Sequence, residues 1–396
     1  YYVGEYHNNT TDYSSASPVA VTAGQTTSGI DFSLALGGRI SGVVKRDSDN
    51  QPIAGISVSA NPYSSAGSGR SAQTAADGSY TITGLAAGIY RVRAVAYGTD
   101  YVGEYYNNTT DNNSAAQVVV TAGSTTADID FSLALGGKIS GKVIRDSDSQ
   151  PIAGLWVSAN EYSTGVWGGQ AQTQADGSYT ITGLAAGGYR VRVPSSGIDY
   201  VGEYYDNTAD SNFAAQVAVT AGQTTPNIDF SLAFGGKISG VATSVTGGRP
   251  IQGLNVNASR INGGLNNYSA QTGADGRYTI TGLPAGSYKV GVSPYGTDYA
   301  AEYYNNKADY ASATPVAVTV GNTTPNVNFS LAIGGKISGV VTSASDGQPI
   351  AGLSVTVVNS STGYWGGNVQ TGADGSYTIK GLLTGSYKVL VETGGT

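Results

Sequence analysis

Residues 129–141 read Ile129-Asp-Phe-Ser-Leu-Ala-Leu-Gly-Gly-Lys-Ile-Ser-Gly141. Ile129, Phe131, Leu133 and Leu135 alternate with Asp130, Ser132 and Ala134, the period of a strand with one buried face. Gly136 and Gly137 follow, and Lys138-Ile139-Ser140-Gly141 opens a second extended run. The same stretch recurs at Ile30–Gly42, Ile228–Gly240 and Val327–Gly339. The Gly-Gly pairs begin at 37, 136, 235 and 334, a spacing of 99 each time, and four such periods make the 396 residues of the chain. Each stretch reads as the last strand of one domain passing through a two-glycine hinge into the first strand of the next.

A 99-residue period is long enough to bury its own core, so the chain reads as an array of small domains and not a solenoid. Glycine accounts for 58 residues and charged side chains for only 12%, while Val, Thr, Tyr and Ser are plentiful. Turn signals recur roughly every eight to twelve residues, as in an all-β sandwich. Sustained helical periodicity is absent. The net charge of −7 argues against nucleic acid or an anionic membrane as partner. No apolar run is long enough to span a bilayer. With no signal peptide and no Met, the sequence is expected to be a mature product or an excerpt of a longer one. The lack of Cys removes disulfides, and the composition fits an exposed extracellular setting.

Along residues 37–135, strands are expected at 39–44, 56–60, 71–74, 79–83, 90–95, 117–120 and 128–135, about seven, which suits two packed sheets. Asp77-Gly78 is the strongest hairpin signal and recurs at Asp176-Gly177, Asp275-Gly276 and Asp374-Gly375. Residues 61–70 read as a Ser/Gly loop and residues 100–114 as a long polar-aromatic excursion.

The order G-x-I-S-G-x-V, P-I-x-G-x-x-V and D-G-x-Y-x-I-x-G-L-x-x-G-x-Y-x-V resembles the carboxypeptidase regulatory-like family. The Y-x-x-E-Y-Y tail and the I-D-F-S-L strand resemble long bacterial surface arrays built from it. The resemblance implies a tandem array of about seven-stranded, Ig-like or transthyretin-like β-sandwiches in an extracellular or cell-surface setting. It implies no catalysis. Some relatives carry a Lys–Asn isopeptide bond. Here Lys138, Lys237 and Lys336 lie in first strands, but Arg39 replaces the first, and Asp31, Asp130 and Asp229 replace all but Asn328 in the last strands, so no crosslink is expected.

Counted from the glycine pairs, complete domains are expected at 37–135, 136–234 and 235–333. Residues 1–36 then read as the closing strands of an incomplete sandwich, and 334–396 as the opening part of another. Left alone, Ile30, Phe32 and Leu34 would be unburied at about 1.5–3 kcal/mol each. They are expected to act as inter-subunit strands, by donor-strand complementation into another copy, or else to belong to a continuing polypeptide.

His7 is the only histidine, and no nucleophile–base pair or zinc set is visible, which argues against an enzyme and against a cofactor. Asp47, Asp49, Asp146 and Asp148 could offer oxygens to calcium, but the third repeat has Val245 to Gly248 there, and a solvated turn is the better reading. Glu5, Glu104, Glu203 and Glu302 stand in every tail and read as carboxylates anchoring a long loop, with a contact between domains or a sugar-facing group as the alternative. Trp167 and Trp365, flanked by glycines at expected loop tips, read as packing on an adjacent domain, with sugar stacking second. Asn8, Asn107, Asn108 and Asn322 lie in sequons that can carry glycans. The functional expectation is a structural extracellular filament or stalk whose partner is itself, head to tail. The alternative is a carbohydrate-binding or adhesive surface array, and a weaker third is an appendage to a secreted enzyme.

Overall fold

The computed structural model describes residues 1–11, 15–63, 69–195, 197–208, 210–261, 267–363 and 365–392. The first complete unit runs through nine strands: β1 (Gly38–Arg46), β2 (Ser57–Pro62), β3 (Arg70–Gln73), β4 (Ser79–Leu85), β5 (Gly88–Val95), β6 (Glu104–Tyr105), β7 (Gln117–Val120), β8 (Thr125–Thr126) and β9 (Phe131–Leu133). One sheet has the order β4-β1-β8, with β9 also on β1, and the other has the order β3-β2-β5-β6, with β7 also on β5. The array of β-sandwiches expected from the sequence is present. The same order repeats from Gly137–Arg145 to Phe230–Leu232 and from Gly236–Ser244 to Phe329–Leu331.

Period-two alternation builds the core. Ile40, Val44, Val58, Ala60, Tyr80, Ile82, Tyr90, Val92, Phe131 and Leu133 point between the sheets and are buried. The Asp-Gly signal behaves differently from a simple hairpin. Gly78 has φ +76°, Ser79 donates its N–H and its hydroxyl to Asp77 Oδ1, and the chain crosses from β3 in one sheet to β4 in the other. Only one of the two central residues takes a positive φ, whereas a two-residue type I′ hairpin needs both. The residues between 63 and 69 of the expected Ser/Gly loop lie outside the described set.

β8 and β9 are one interrupted strand running parallel to β1. Thr125 and Thr126 pair with Arg39 and Ile40, and Phe131 to Leu133 pair with Val44 to Arg46. At the break, Ile129 donates to Ser41 O, and Asp130 Oδ1 accepts the Val43 N–H at 2.8 Å. The buried Tyr80 hydroxyl donates to Ile129 O at 2.6 Å. A Cβ on Gly42 would fall well inside contact distance of Ile129 O, so only glycine lets the broken strand close here. Asp229 and Asn328 accept the Lys142 and Val241 N–H groups in the same way. The position needs an acceptor, which either Asp or Asn supplies.

The flanking segments differ from these units. Residues 1–36 contain no described strand, and Phe32 and Leu34 are exposed while Ile30 is half-buried. Tyr2 bridges Leu36 within this segment, and the segment meets the next unit through the Gly37 N–H to Tyr1 O bond at 3.0 Å and through Tyr2 O, against which Gly84 packs. In residues 335–392, Gly335–Val340 pairs, among the described residues, only with Ser376–Leu382, and Ser354–Asn359 pairs with Trp365–Gln370 and Tyr387–Glu392. The buried cluster there shrinks to Val355, Val357, Ile379 and Leu382.

Candidate functional site: the junction between units

The junction is built from the stretch that organises the sequence. After β9 the chain does not swing free. Val102 donates to Ala134 O at 3.0 Å, and Gly136 donates to Asp100 O at 2.8 Å. Leu135, read as a core residue, instead leaves the core, bridges Tyr101 and is exposed. Two residues later the same chain is in the first strand of the next unit, Gly137–Arg145.

The glycine pair is packed, which corrects the expectation of a hinge. A Cβ on Gly136 would lie 2.5 Å from Gly183 C and 2.6 Å from its Cα. Gly183, at φ +70°, in turn faces the preceding unit: its Cβ would lie 2.6 Å from Tyr101 O and 3.0 Å from Thr99 O. Backbone therefore stacks on backbone across the seam. Gly282 meets Tyr200 O and Ile198 O, and Gly381 meets Tyr299 O, in the same manner. Glycine is required here for close approach, not for freedom.

An ion pair crosses each of these seams. Lys138 Nζ sits 2.8 Å from Asp100 Oδ2, and Lys237–Asp199 and Lys336–Asp298 are both at 2.9 Å. Lys380 adds a second cation 3.5 Å from Asp298 Oδ1, and its two lysines hold the Asp298 carboxyl below its ordinary range. At the first seam Tyr1 stands in the aspartate position and Arg39 in the lysine position, and the guanidinium lies 4.3 Å from the ring centroid. The lysines weighed for a crosslink are thus junction residues. The fixed separation of 38 residues between Asp100 and Lys138 was the signal in the sequence.

Trp167 and Trp365 are not at loop tips: each begins a strand, Trp167–Gln172 and Trp365–Gln370. Trp167 meets Tyr97 of the preceding unit edge-on with ring centroids 4.9 Å apart. Trp365 stacks on Tyr295 at 5.8 Å, and the Tyr295 hydroxyl donates to Asn368 O and Oδ1. Flanking glycines suggested a turn, but Gly168 and Gly169 lie within the strand, where a Cβ on Gly168 would strike Tyr189. The tyrosine partners were not anticipated. At the second seam the corresponding positions 196 and 266 lie outside the described residues.

The tail glutamates sit between the sheets at their open side. Glu302 Oε1 accepts the Ser330 N–H at 3.0 Å, joining its short strand to Phe329–Leu331 of the opposite sheet. Glu104 and Glu203 hold the same place beside Ser132 and Ser231, but their Oε1 atoms are buried without a hydrogen-bond partner among the described residues, and burial pushes both carboxyls up to about 7, with Asp47 and Asp146 adding like charge. Glu302 is also raised, by burial, but Val245 replaces the acidic neighbour in its unit. Glu5 Oε1 is likewise buried without a hydrogen-bond partner among the described residues.

The calcium candidates are engaged otherwise. Asp49 and Asp148 pair with Arg46 and Arg145 at 3.0 and 2.9 Å, and Asp47 and Asp146 accept the Ser132 and Ser231 hydroxyls. Among the described residues no three His, Cys, Asp or Glu side chains are grouped to hold a metal ion, and no helix is long and apolar enough to cross a membrane. Asn107 and Asn108 have φ +76° and +56°, and Asn8 and Asn9 have φ +79° and +56°. Both pairs occupy the centre of a tight turn with two positive φ values, which favours asparagine over most residues. Asn322 donates to Val320 O in another exposed turn. The His7 ring lies edge-on to Phe32 at 6.4 Å.

No curated protein sequence matches the chain. Among solved structures, the Bacillus anthracis TIE protein is 13% identical with a TM-score of 0.23, and the match covers 75% of this chain and 51% of that one. The minor pilin GBS52 of Streptococcus agalactiae is 14% identical with a TM-score of 0.25, over 49% of this chain and 95% of that one. The major pilin subunit BcpA of Bacillus cereus is 10% identical with a TM-score of 0.20, over 75% and 99%. This chain thus spans about half of the first of these proteins and nearly all of the other two. The family model for the carboxypeptidase regulatory-like domain matches residues 39–134, 138–233, 237–332 and 336–396. The chain belongs to the carboxypeptidase regulatory-like domain family, as four tandem copies.

Proposed function

We propose that the chain is a non-catalytic, extracellular stalk or filament segment, with β-sandwich units joined head to tail into a stiff rod. The observation that carries this reading is the junction: glycine backbone packed on the preceding unit's carbonyls, with an ion pair, repeated at three seams. A seam built this way transmits force from strand to strand without slack. The absence of Cys and Met and the low charge favour an exposed, oxidising setting. If each unit adds roughly 25–40 Å, four units give a rod whose radius of gyration is roughly 30–45 Å. A compact globule of this length would have about 21 Å. Small-angle X-ray scattering of the purified chain decides between them, and a value near the globular one refutes the rod.

The open edge of Gly335–Val340 suggests how such rods lengthen. In the complete units the equivalent of Gly335 is crowded: a Cβ on Gly137 would strike Val219 and Thr220 O. Among the described residues a Cβ on Gly335 would meet only Leu382 O, at 3.6 Å. By repeat register, Val21 and Thr22 hold the positions of Val219 and Thr220. We propose that residues 17–34 of a second copy, including Ile30, Phe32 and Leu34, fill this edge by donor-strand complementation. Gly335→Ala then leaves the free chain's melting unchanged but blocks concentration-dependent assembly in light scattering. Unimpaired assembly of that variant overturns the proposal.

A further inference from the structure

The cleft at the seam between the units β1–β9 and 137–232 has a volume of about 990 Å³. The preceding unit contributes Tyr97 and Tyr105, and the following unit contributes Trp156 and Trp167. Tyr97, Trp156 and Trp167 are 54%, 48% and 40% exposed. Tyr97 and Trp167 hold the seam by their edge-on contact, but Trp156 does not. It projects outward from the strand Trp156–Glu161 and makes no ring contact or side-chain hydrogen bond among the described residues. The other three units place Ser57, Asn255 and Ser354 at this position, so the sandwich itself has no need of an indole there. An exposed indole beside two further exposed rings is a surface suited to a ligand.

The charged side chains at the cleft wall keep their charge but are each engaged by partners within the protein. Arg93 lies 5.2 Å from the ring centroids of both Tyr97 and Tyr105. Asp111 accepts the Asn113 N–H and the Ser114 hydroxyl, and Glu161 accepts the Thr164 hydroxyl. What remains is aromatic faces together with neutral donors and acceptors, Gln170, Asn112 and Thr180 among them. That combination is complementary to a ligand with flat C–H faces, a rim of hydroxyls and no charge. The volume matches that of ordinary ligand clefts, about 300–1,000 Å³.

We propose that this cleft binds a neutral β-linked oligosaccharide of glucopyranose type, whose equatorial hydroxyls leave both ring faces as C–H surface. Trp156 and Trp167 stack on its rings. The site is independent of whether the chain forms a stalk, because it needs only one intact seam. The probes are cellohexaose and chitohexaose, titrated into the full chain by isothermal calorimetry, and either one binding supports the site while the pair separates a glucan from its N-acetylated counterpart. Trp156→Ser installs the residue that two other units carry, so the variant is expected to fold, and its melting curve checks this. It should weaken binding by at least about tenfold, as should Trp167→Ala, whereas Trp365→Ala at a seam with Ser354 should leave it unchanged. No saturable binding of either sugar, or binding insensitive to Trp156→Ser, overturns the proposal. The scattering measurement fails separately if the stalk reading is wrong.

Discussion

Gly183→Ala is the sharpest test of a packed seam. The added methyl carbon would stand 2.6 Å from Tyr101 O and 3.0 Å from Thr99 O. Carbon–oxygen contacts ordinarily lie at about 3.3–3.6 Å, so the first is short by roughly 0.7–1.0 Å. Both opposing atoms are backbone and cannot rotate away. Overpacking of this kind costs about 1–3 kcal/mol. The φ of +70° adds a second, local cost of about 1–2 kcal/mol for any residue with a Cβ. Gly165→Ala separates the two, because Gly165 has φ +72° but nothing within 4 Å of its Cβ position. The readout is hydrogen exchange at the Val102 and Gly136 amides, which are bonded to Ala134 O and Asp100 O at the seam. With Gly183→Ala these amides should exchange about 5–150-fold faster, the range corresponding to 1–3 kcal/mol. With Gly165→Ala they should not change. Equal exchange in the two variants would refute the view that the glycines are there for close approach.

Three further outcomes are expected. Glu104 and Glu203 are raised to about 7 from an ordinary value of 4.5, so their neutral forms are favoured by folding. Their contribution is fully present below about pH 4.5 and is lost as pH rises through about 7, on the order of 1 kcal/mol each once solvent screening is allowed for. Urea melts at pH 5 and pH 8 should therefore show greater stability at the lower pH, and Glu104→Gln with Glu203→Gln should flatten that difference. Tyr80→Phe leaves Ile129 O without its buried 2.6 Å donor and should destabilise the first complete unit by about 1–3 kcal/mol in chemical denaturation. Lys237→Ala removes a solvent-exposed pair and should shift stability by less than about 1 kcal/mol, with a difference that vanishes at high salt.

The strands were legible because their inward residues alternate with polar ones. Val58 and Ala60, Tyr80 and Ile82, and Tyr90, Val92 and Ala94 all face the core, and period two is a local property. The seam was legible in position but not in character. A Gly-Gly pair is silent about whether it bends or packs, since the deciding atoms, Gly183 and Tyr101 O, lie far away in sequence. Asp77-Gly78 misled for a related reason: a turn signal reports a reversal of direction, not which sheet receives the next strand. The tryptophans were read as loop residues because glycine usually marks a turn, whereas Gly168 is in a strand to make room for Tyr189. The Lys–Asp pairs were visible as a constant separation but went unread, because an ion pair needs a fold before it has a geometry.

The seams also indicate which feature the architecture cannot relinquish. The side-chain contacts vary: Lys–Asp at three seams, Arg39 on Tyr1 at the first, and Tyr295 with Trp365 stacked where Tyr97 and Trp167 meet edge-on. A cation over an aromatic ring and a surface ion pair are of similar, modest strength, about 0–1 kcal/mol, so one replaces the other without disturbing the joint. The backbone contact is the same at every seam, from Gly84 on Tyr2 O to Gly381 on Tyr299 O. Orientation between units is therefore set by steric exclusion along the main chain, which salt does not screen. Side chains around the rim are left free to differ, and at that rim Trp156 stands where the other units carry Ser57, Asn255 and Ser354.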